Sequence, residues 1–272
     1  MKNRINIIAE IGWNHMGNMS LAEKMIRAAK NSGADYCKFQ TWKVKNLVNG
    51  SWDIDGRKEI YNKAELSNEK HFLLKKICKK YKIGFFTSIF NKDDLTLLNK
   101  INNKIIKIPS HEIYNINLIS ECLKNFNKVL ISVGASKWRE IKKITKLKNF
   151  QRKAVLMHCV SSYPCDPVNL NFGKIEYIKK LSPIFGYSGH YNGIDDAIIA
   201  ISSGAQYVEK HFTIDKKLPG RDNKFAILPK DLRKICQFRD SVSLMTLNKG
   251  LNIQKCEIDI YKNYRGRWSG KR

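Results

Sequence analysis

Charged and hydroxyl side chains recur along this 272-residue chain at the points where short apolar runs end. Two of these side chains are the lysines Lys38 and Lys107, and two others are the histidines His190 and His211. Ammonium groups beside hydroxyls suit a small phosphorylated carboxylate. Two neutral imidazoles with room for water suit a divalent metal ion such as Mn²⁺ or Mg²⁺, and they disfavour Ca²⁺. The residue types therefore predict an anion site beside a metal site.

Short apolar runs alternate with helix-period stretches up to about residue 245. The runs predict eight strands, at Ile5–Ala9, Tyr36–Phe39, Gly84–Phe86, Ile105–Ile108, Val129–Ile131, Ala154–Met157, Ile184–Tyr187 and Gln206–Val208. Eight helices are predicted to follow them, and the first has Ser20 as its N-cap and Gly33 just past its end. Nearly continuous apolar strands indicate a parallel sheet that is buried on both faces. The fold class predicted is α/β, a closed (β/α)₈ TIM barrel.

In such a barrel the catalytic groups project from the carboxyl ends of the strands. The polar residues that follow or end the apolar runs include Glu10, Lys38, Gln40, Ser88, Lys107, Ser110, Glu112, Ser132, Ser161, Tyr163, Ser188, His190 and His211. Burying so many polar groups without partners would cost about 1–3 kcal/mol each, so stability alone gives no reason to collect them at one end. Their convergence predicts an active site. His158 also follows a strand, and we expect it to pack or to support its neighbours.

Composition excludes several other classes of protein. The net charge is +26, but the lysines are scattered through the predicted helices, which indicates a solvated surface and not a specific nucleic-acid site. The seven cysteines form no C-x-x-C pair, as is typical of free thiols in a reducing compartment. No apolar stretch approaches the ~18 residues of a membrane span. We therefore expect a cytoplasmic protein without a membrane or nucleic-acid partner.

Six ordered motifs resemble those of the sialic acid synthase family. They are Ala9–Asn18, Gly33–Thr41, Lys107–Glu112, His158–Pro164, Glu209–Thr213 and Leu218–Asp222. Each motif is weak alone, but the ordered set between about residues 5 and 245 is specific. The resemblance implies condensation of phosphoenolpyruvate with N-acetylmannosamine or a related amino sugar. The products would be a nonulosonic acid, which is a nine-carbon 2-keto acid, and phosphate.

The resemblance also implies roles for individual residues. Glu10, Lys38 and Lys107 would be catalytic, and His190 and His211 would hold the divalent metal, Mn²⁺ with Mg²⁺ or Co²⁺ as alternatives. The residues implied around phosphoenolpyruvate are Lys38, Ser88, Lys107, Ser110, Ser132, Ser161 and Ser188. Those implied to face the sugar are Glu10, Gln40, Glu112, Tyr163 and Asp222. A homodimer is left open.

The sequence departs from the family pattern at several points, and two of these departures bear most on function. Gly189 stands where the family reads Asp, so a carboxylate that orients the metal or its water is expected to be missing. Family members also continue into a small antifreeze-like domain that supplies an Arg to the sugar, whereas here residues 1–250 are predicted as the catalytic barrel and 251–272 as a basic tail. Two alternatives stay open: a sister enzyme acting on another sugar, and a catalytically impaired barrel that binds a sugar or a partner.

Overall fold

Eight parallel strands close into a barrel in the order in which they occur along the chain. The computed structural model describes residues 4–50 and 54–270. The strands are β1 Asn6–Gly12, β2 Tyr36–Thr41, β3 Gly84–Ile89, β4 Ile105–Ile108, β5 Lys128–Ser132, β6 Ala154–His158, β7 Phe185–Gly189 and β8 Tyr207–His211. Pairing of β1 with β8 closes the barrel. The predicted (β/α)₈ TIM barrel is confirmed.

Helical segments cover the outside of the barrel. They are α1 Met19–Asn31, α2 Arg57–Ala64, α3 Asn68–Lys80, α4 Leu95–Ile101, α5 Ile116–Asn125, α6 Trp138–Ile144, α7 Phe150–Lys153, α8 Lys174–Leu181, α9 Asp195–Ser202 and α10 Pro229–Met245. The sequence did not predict α2 or α7. Helix α2 buries only Ala64, so it has no apolar stripe that a periodicity search could find. Helix α7 is a single turn.

Helix α1 shows how local sequence sets the bounds of an element. Ala22, Met25 and Ile26 are buried, and they recur at the three- and four-residue spacing of one helix face. The predicted cap was wrong, because the N-cap is Asn18, whose side chain accepts a hydrogen bond from Leu21 N at 3.0 Å. Ser20 lies inside the first turn. Gly33 follows the helix with a φ of +96°, a conformation that glycine adopts without steric cost.

The inside of the barrel changes from apolar to polar along the strands. Its lower part, which we call the floor, is a separate buried cluster of Ile8, Phe86, Ile105, Leu130, Val155 and Met157. Two residues further along three of these strands, on the same inward face, come Glu10, Ser88 and Lys107. The strands therefore continue past the point where their apolar runs stop. The predicted strands ended early for this reason, at Ala9 instead of Gly12 in β1.

Beyond α10 the chain is exposed. Between residues 251 and 270 it forms a 3₁₀ turn at Lys255–Glu257 and a π-helical turn at Ile260–Tyr264. No helix in the described residues is long and apolar enough to cross a membrane. All seven cysteines are described and are free thiols, with Cys256 exposed and the other six buried.

Candidate active site

Lys38 lies inside the barrel in a set of short polar contacts. The side chain is 2% exposed, and its Nζ lies 2.9 Å from Glu10 Oε1. It also donates a hydrogen bond to Ser88 Oγ at 2.7 Å. Gln40 donates to the same Glu10 oxygen at 2.7 Å. Strands β1, β2 and β3 thus bring four of the predicted site residues together.

Lys107 makes a matching set of contacts from β4, two strands away from Lys38. Its Nζ donates to Glu209 Oε1 at 2.7 Å and to Ser188 Oγ at 2.9 Å. Glu209 Oε1 also lies 3.7 Å from Lys38 Nζ, which joins the two lysines into one buried network. Ser188 and Glu209 precede His190 and His211 by two positions, so Lys107 lies one layer deeper than the histidines.

The network leaves several polar atoms without a partner. The atoms around it that are buried and make no hydrogen bond are Glu10 Oε2, Glu209 Oε2, Ser132 Oγ and His211 Nδ1. Buried donors and acceptors are nearly always satisfied, and each exception costs about 1–3 kcal/mol. Several such exceptions at the carboxyl ends of the strands indicate a site built to bind something else.

Burial and neighbouring charges set different protonation states for the two carboxylates. Burial raises the pKa of Glu10 to about 7, although Lys38 opposes the shift. Burial also acts to raise the pKa of Glu209, but Lys107 and Lys38 outweigh it and lower the pKa. Burial lowers the pKa of Lys107 despite Glu209. Glu209 is therefore a fixed anion in this network, whereas Glu10 titrates near neutral pH.

Two hydroxyls crowd against a glycine above the network. A Cβ atom on Gly134 would lie 2.6 Å from Ser161 Oγ and 2.9 Å from Ser110 Oγ. Real Cβ atoms do not approach so closely, so only glycine lets both hydroxyls reach this stretch of backbone. Ser110 Oγ also lies 3.4 Å from the buried thiol of Cys159. The predicted residues Ser110 and Ser161 thus meet in one small space.

The two predicted metal ligands face each other. The ring centroids of His190 and His211 are 5.4 Å apart. His190 Nδ1 lies 2.7 Å from Val160 O, and a carbonyl only accepts, so Nδ1 carries the proton and Nε2 remains for a ligand. Burial, and then His190, hold the pKa of His211 well below its usual range, which keeps that ring neutral. The unpartnered Nδ1 of His211 and the available Nε2 of His190 fit a metal ion.

The protein supplies few other ligands there. In residues 4–50 and 54–270, no group of three or more His, Cys, Asp or Glu side chains is placed to hold a metal ion. Asp222 Oδ2 lies 3.4 Å from His211 Nδ1 without a hydrogen bond. A metal on these histidines would therefore take its remaining ligands from water or substrate.

Aromatic and acidic side chains form the rim above the histidines. The Tyr163 ring lies with its centroid 4.0 Å from that of His190, and 42% of the residue is exposed. The indole N–H of Trp13 donates to Asp222 Oδ2. Burial raises the pKa of Asp222 to about 6. Tyr163 and Asp222 therefore lie beside the histidine pair, and their contact with a sugar stays a prediction.

Two residues stand apart from this arrangement. Glu112 is half-buried in the turn after β4, and its carboxylate accepts a hydrogen bond from Asn115. His158 faces away from the barrel interior, where it contacts Leu170 O at 2.8 Å and packs on Phe172 and Tyr187, as expected for a packing residue.

Sequence reasoning did not select Glu209, the residue that links both lysines. The signal was available, because Glu209 lies two positions before His211 and must share its face of β8. Cys159 was expected only to be one of the free thiols, yet its sulfur is also 3.9 Å from His190 Nδ1. That contact joins residues 31 positions apart, and no local pattern predicts it.

Together the fold and the site define a (β/α)₈ barrel with a buried constellation of lysines, carboxylates and histidines at the carboxyl ends of its strands. The chain matches the NeuB family over residues 25–249, and it belongs to that family. The resemblance seen in the sequence motifs is thereby confirmed.

Similar proteins are named as synthases of several acidic sugars. The N,N'-diacetyllegionaminic acid synthase of Campylobacter jejuni is 33% identical over 94% of this chain and 81% of its own length. The pseudaminic acid synthase of Helicobacter pylori is 30% identical over 81% of this chain and 69% of its own. A crystal structure of N-acetylneuraminic acid (sialic acid) synthetase from Leptospira borgpetersenii, in complex with citrate, has 32% identity and a TM-score of 0.86. It covers 99% of this chain and 94% of that one.

Proposed function

We propose that this protein condenses phosphoenolpyruvate with an amino-sugar aldehyde, N-acetylmannosamine or a relative, to give a nonulosonic acid and phosphate. The observation that carries the proposal is the buried pair Lys38 and Lys107, joined through Glu209 and surrounded by hydroxyls. Membership of a family whose named relatives are nonulosonic acid synthases supports it.

The lysine network is the proposed phosphoenolpyruvate site. Lys38 and Lys107 provide two cations, and the hydroxyls that would complete the anion site are those of Ser88, Ser110, Ser132, Ser161 and Ser188. Charge-assisted hydrogen bonds from lysine to phosphate or carboxylate are about twice as strong as neutral ones. Ser132 Oγ has no partner of its own, so a ligand oxygen would satisfy it.

The reaction forms one carbon–carbon bond and breaks one bond to phosphate. The alkene carbon of phosphoenolpyruvate attacks the aldehyde carbon, whose oxygen takes up a proton. Water then adds to the enol carbon and gives up a proton, and phosphate leaves to generate the 2-keto group. Glu10 is the proposed proton acceptor for that water, because a pKa of about 7 suits proton transfer at neutral pH.

His190 and His211 are the proposed ligands of a divalent metal, Mn²⁺ or else Mg²⁺ or Co²⁺. Such an ion acts as a Lewis acid that polarises an aldehyde oxygen. The histidines would hold it beside Glu10, which pairs in register with His211 across β1 and β8.

The sugar would lie against the rim. Tyr163 and Asp222 flank the histidines, and Gln40 reaches the site through its bond to Glu10. Glu112 is proposed for the same side on the strength of the motif. Identities of 30–33% to synthases with different named products leave the substituents of the sugar to be measured.

Phosphate release tests the proposal. Purified protein with Mn²⁺ and phosphoenolpyruvate should release phosphate only when a suitable amino sugar from a panel is added, and mass spectrometry should find the nine-carbon acid. Lys38→Met should abolish release. Lys128→Met is the matched control, because Lys128 begins β5 at the opposite end of the barrel. Release that does not depend on sugar, or no release with any sugar, would contradict the proposal.

A further inference from the structure

Gly189, the residue before His190, has a carboxylate from another element where its side chain would be. A Cβ atom at position 189 would lie 2.3 Å from Asp196 Oδ2 and 2.5 Å from Cε1 of the Tyr187 ring. The first of these distances is close to the separation between Cβ and a carboxylate oxygen within an aspartate itself. Asp196 thus delivers an oxygen, from the first turn of α9, to the place that an aspartate at 189 would supply.

The Asp196 carboxylate is fully buried and fully bonded. Its Oδ2 accepts from Lys210 Nζ at 2.7 Å and from Tyr187 Oη at 2.9 Å. Its Oδ1 accepts from Ala197 N at 2.8 Å. We call Asp196, Lys210 and Tyr187 the clamp; all three are at most 3% exposed.

The clamp holds the segments that carry both histidines. Lys210 directly precedes His211, and its Nζ also donates to the carbonyl of Tyr191, the residue directly after His190, at 2.8 Å. Tyr187 lies on β7, three residues before His190. One ammonium group therefore fixes the chain next to each imidazole, and Asp196 is the counter-charge that keeps this ammonium group in place.

We propose that Asp196 is a positioning residue for the histidine pair, acting through Lys210, and that it replaces a carboxylate on residue 189. The inference deepens the proposed function, since it rests on His190 and His211 holding a metal. Asp196 Oδ2 and the Tyr187 ring already occupy the space beside Gly189, so the two positions cannot both carry a carboxylate in this arrangement. Gly189 led us to expect that the orienting carboxylate is missing. On this proposal the carboxylate is present, but Asp196 supplies it.

The test removes the Asp196 carboxylate. Asp196→Ala should weaken Mn²⁺ binding about 10- to 100-fold, the size of effect typical of groups that orient metal ligands. In the metal-free protein, it should also shift the ring resonances of His190 and His211, assigned by comparison with the His→Ala variants. Gly189→Asp should lower the melting temperature, because its side chain would overlap both Asp196 Oδ2 and the Tyr187 ring.

Asp195→Ala is the matched control, because Asp195 is the exposed neighbour in the same helical turn. If Asp196→Ala does not fold, Asp196→Asn keeps the shape, removes the charge, and should weaken Mn²⁺ binding in the same direction. Unchanged Mn²⁺ binding and unchanged ring resonances in Asp196→Ala would overturn the proposal. If the wild type itself binds no Mn²⁺, the proposed metal role fails, and the ring resonances of the metal-free variants still decide whether Asp196 positions the histidines.

Discussion

Strand β8 carries two buried polar networks on its two faces. Glu209 points inward to Lys107 and Lys38, and the next residue, Lys210, points outward to Asp196. Both networks pair lysine with carboxylate at 2.7 Å, and both are almost wholly removed from water. By burial and ion pairing alone, the two could not be told apart.

They differ in what is left over. Every side-chain oxygen of the outer carboxylate has a partner, whereas the inner network keeps an unpartnered oxygen on both Glu10 and Glu209. The outer network, whose carboxylate oxygens all have partners, stabilises the fold. The inner network, whose carboxylates keep unpartnered oxygens, can still bind a ligand. Between these two networks, the unsatisfied atoms and not burial or charge make the difference.

The largest effect should come from breaking the outer network. Lys210→Met leaves Asp196 buried and unpaired, which should lower the free energy of unfolding by about 3–5 kcal/mol. Lys38→Met should cost less at pH 7, because Glu10 has a pKa of about 7 and can become neutral by taking up a proton. Urea denaturation of both variants at the same pH measures the difference. Equal losses would mean that the two networks are not different in kind.

Removing either histidine should affect metal binding and leave the fold intact. His190→Ala or His211→Ala takes away one of the two protein ligands that we propose, so Mn²⁺ affinity should fall by at least the 10- to 100-fold seen for lesser, outer contacts. Calorimetry with Mn²⁺ gives the affinity, and circular dichroism reports the fold. If both variants bind Mn²⁺ as tightly as the wild type, the metal lies elsewhere.

Neutralising a lysine of the inner network should weaken anion binding. Lys38→Met or Lys107→Met should weaken the binding free energy of phosphoenolpyruvate by about 1.5–3 kcal/mol, which is the contribution of a hydrogen bond to a charged group. Lys128→Met should change nothing. Titration of each variant with phosphoenolpyruvate, without sugar, checks this expectation, and unchanged binding in both site variants would refute the anion pocket.

The smallest effect should be a dependence on pH that Glu10 introduces. The raised pKa means that Glu10 is mainly neutral below about pH 7 and ionised above it, where it competes with the ligand for Lys38. Phosphoenolpyruvate affinity should therefore fall as pH rises through about 7, by at most about tenfold per pH unit for one linked proton. Glu10→Gln removes this linkage and retains the ligand's own ionisation. Parallel pH curves for wild type and variant would contradict the role of Glu10.

The sequence predicted the order and type of the eight barrel strands, because an apolar run identifies a strand buried on both faces. It could not place their carboxyl ends. In β8 the run stops at Val208, but the strand continues through His211, since the last inward residues belong to the site. Where function replaces apolar residues with polar ones, a hydrophobicity criterion reports the edge of the core instead of the edge of the strand.

The site was predicted where it depends on position along a strand. Lys38 and Lys107 needed only the barrel and the alternation of faces. Contacts between distant residues, such as Lys107 with Glu209 across 102 positions, depend on barrel closure. The carboxylate next to Gly189 comes from a helix that begins six residues later. Gly189 considered alone therefore suggests that a carboxylate is missing.

In the described residues, the apolar floor packs beneath Glu10 and Lys107. A molecule held by Lys107 lies one layer below anything held by His190 and His211, and the floor closes the way out underneath. Binding would therefore be ordered: the molecule that binds first, in the deeper layer, would be released last. A bound sugar would therefore trap the phosphoenolpyruvate beneath it, and an unproductive encounter would unload in reverse order.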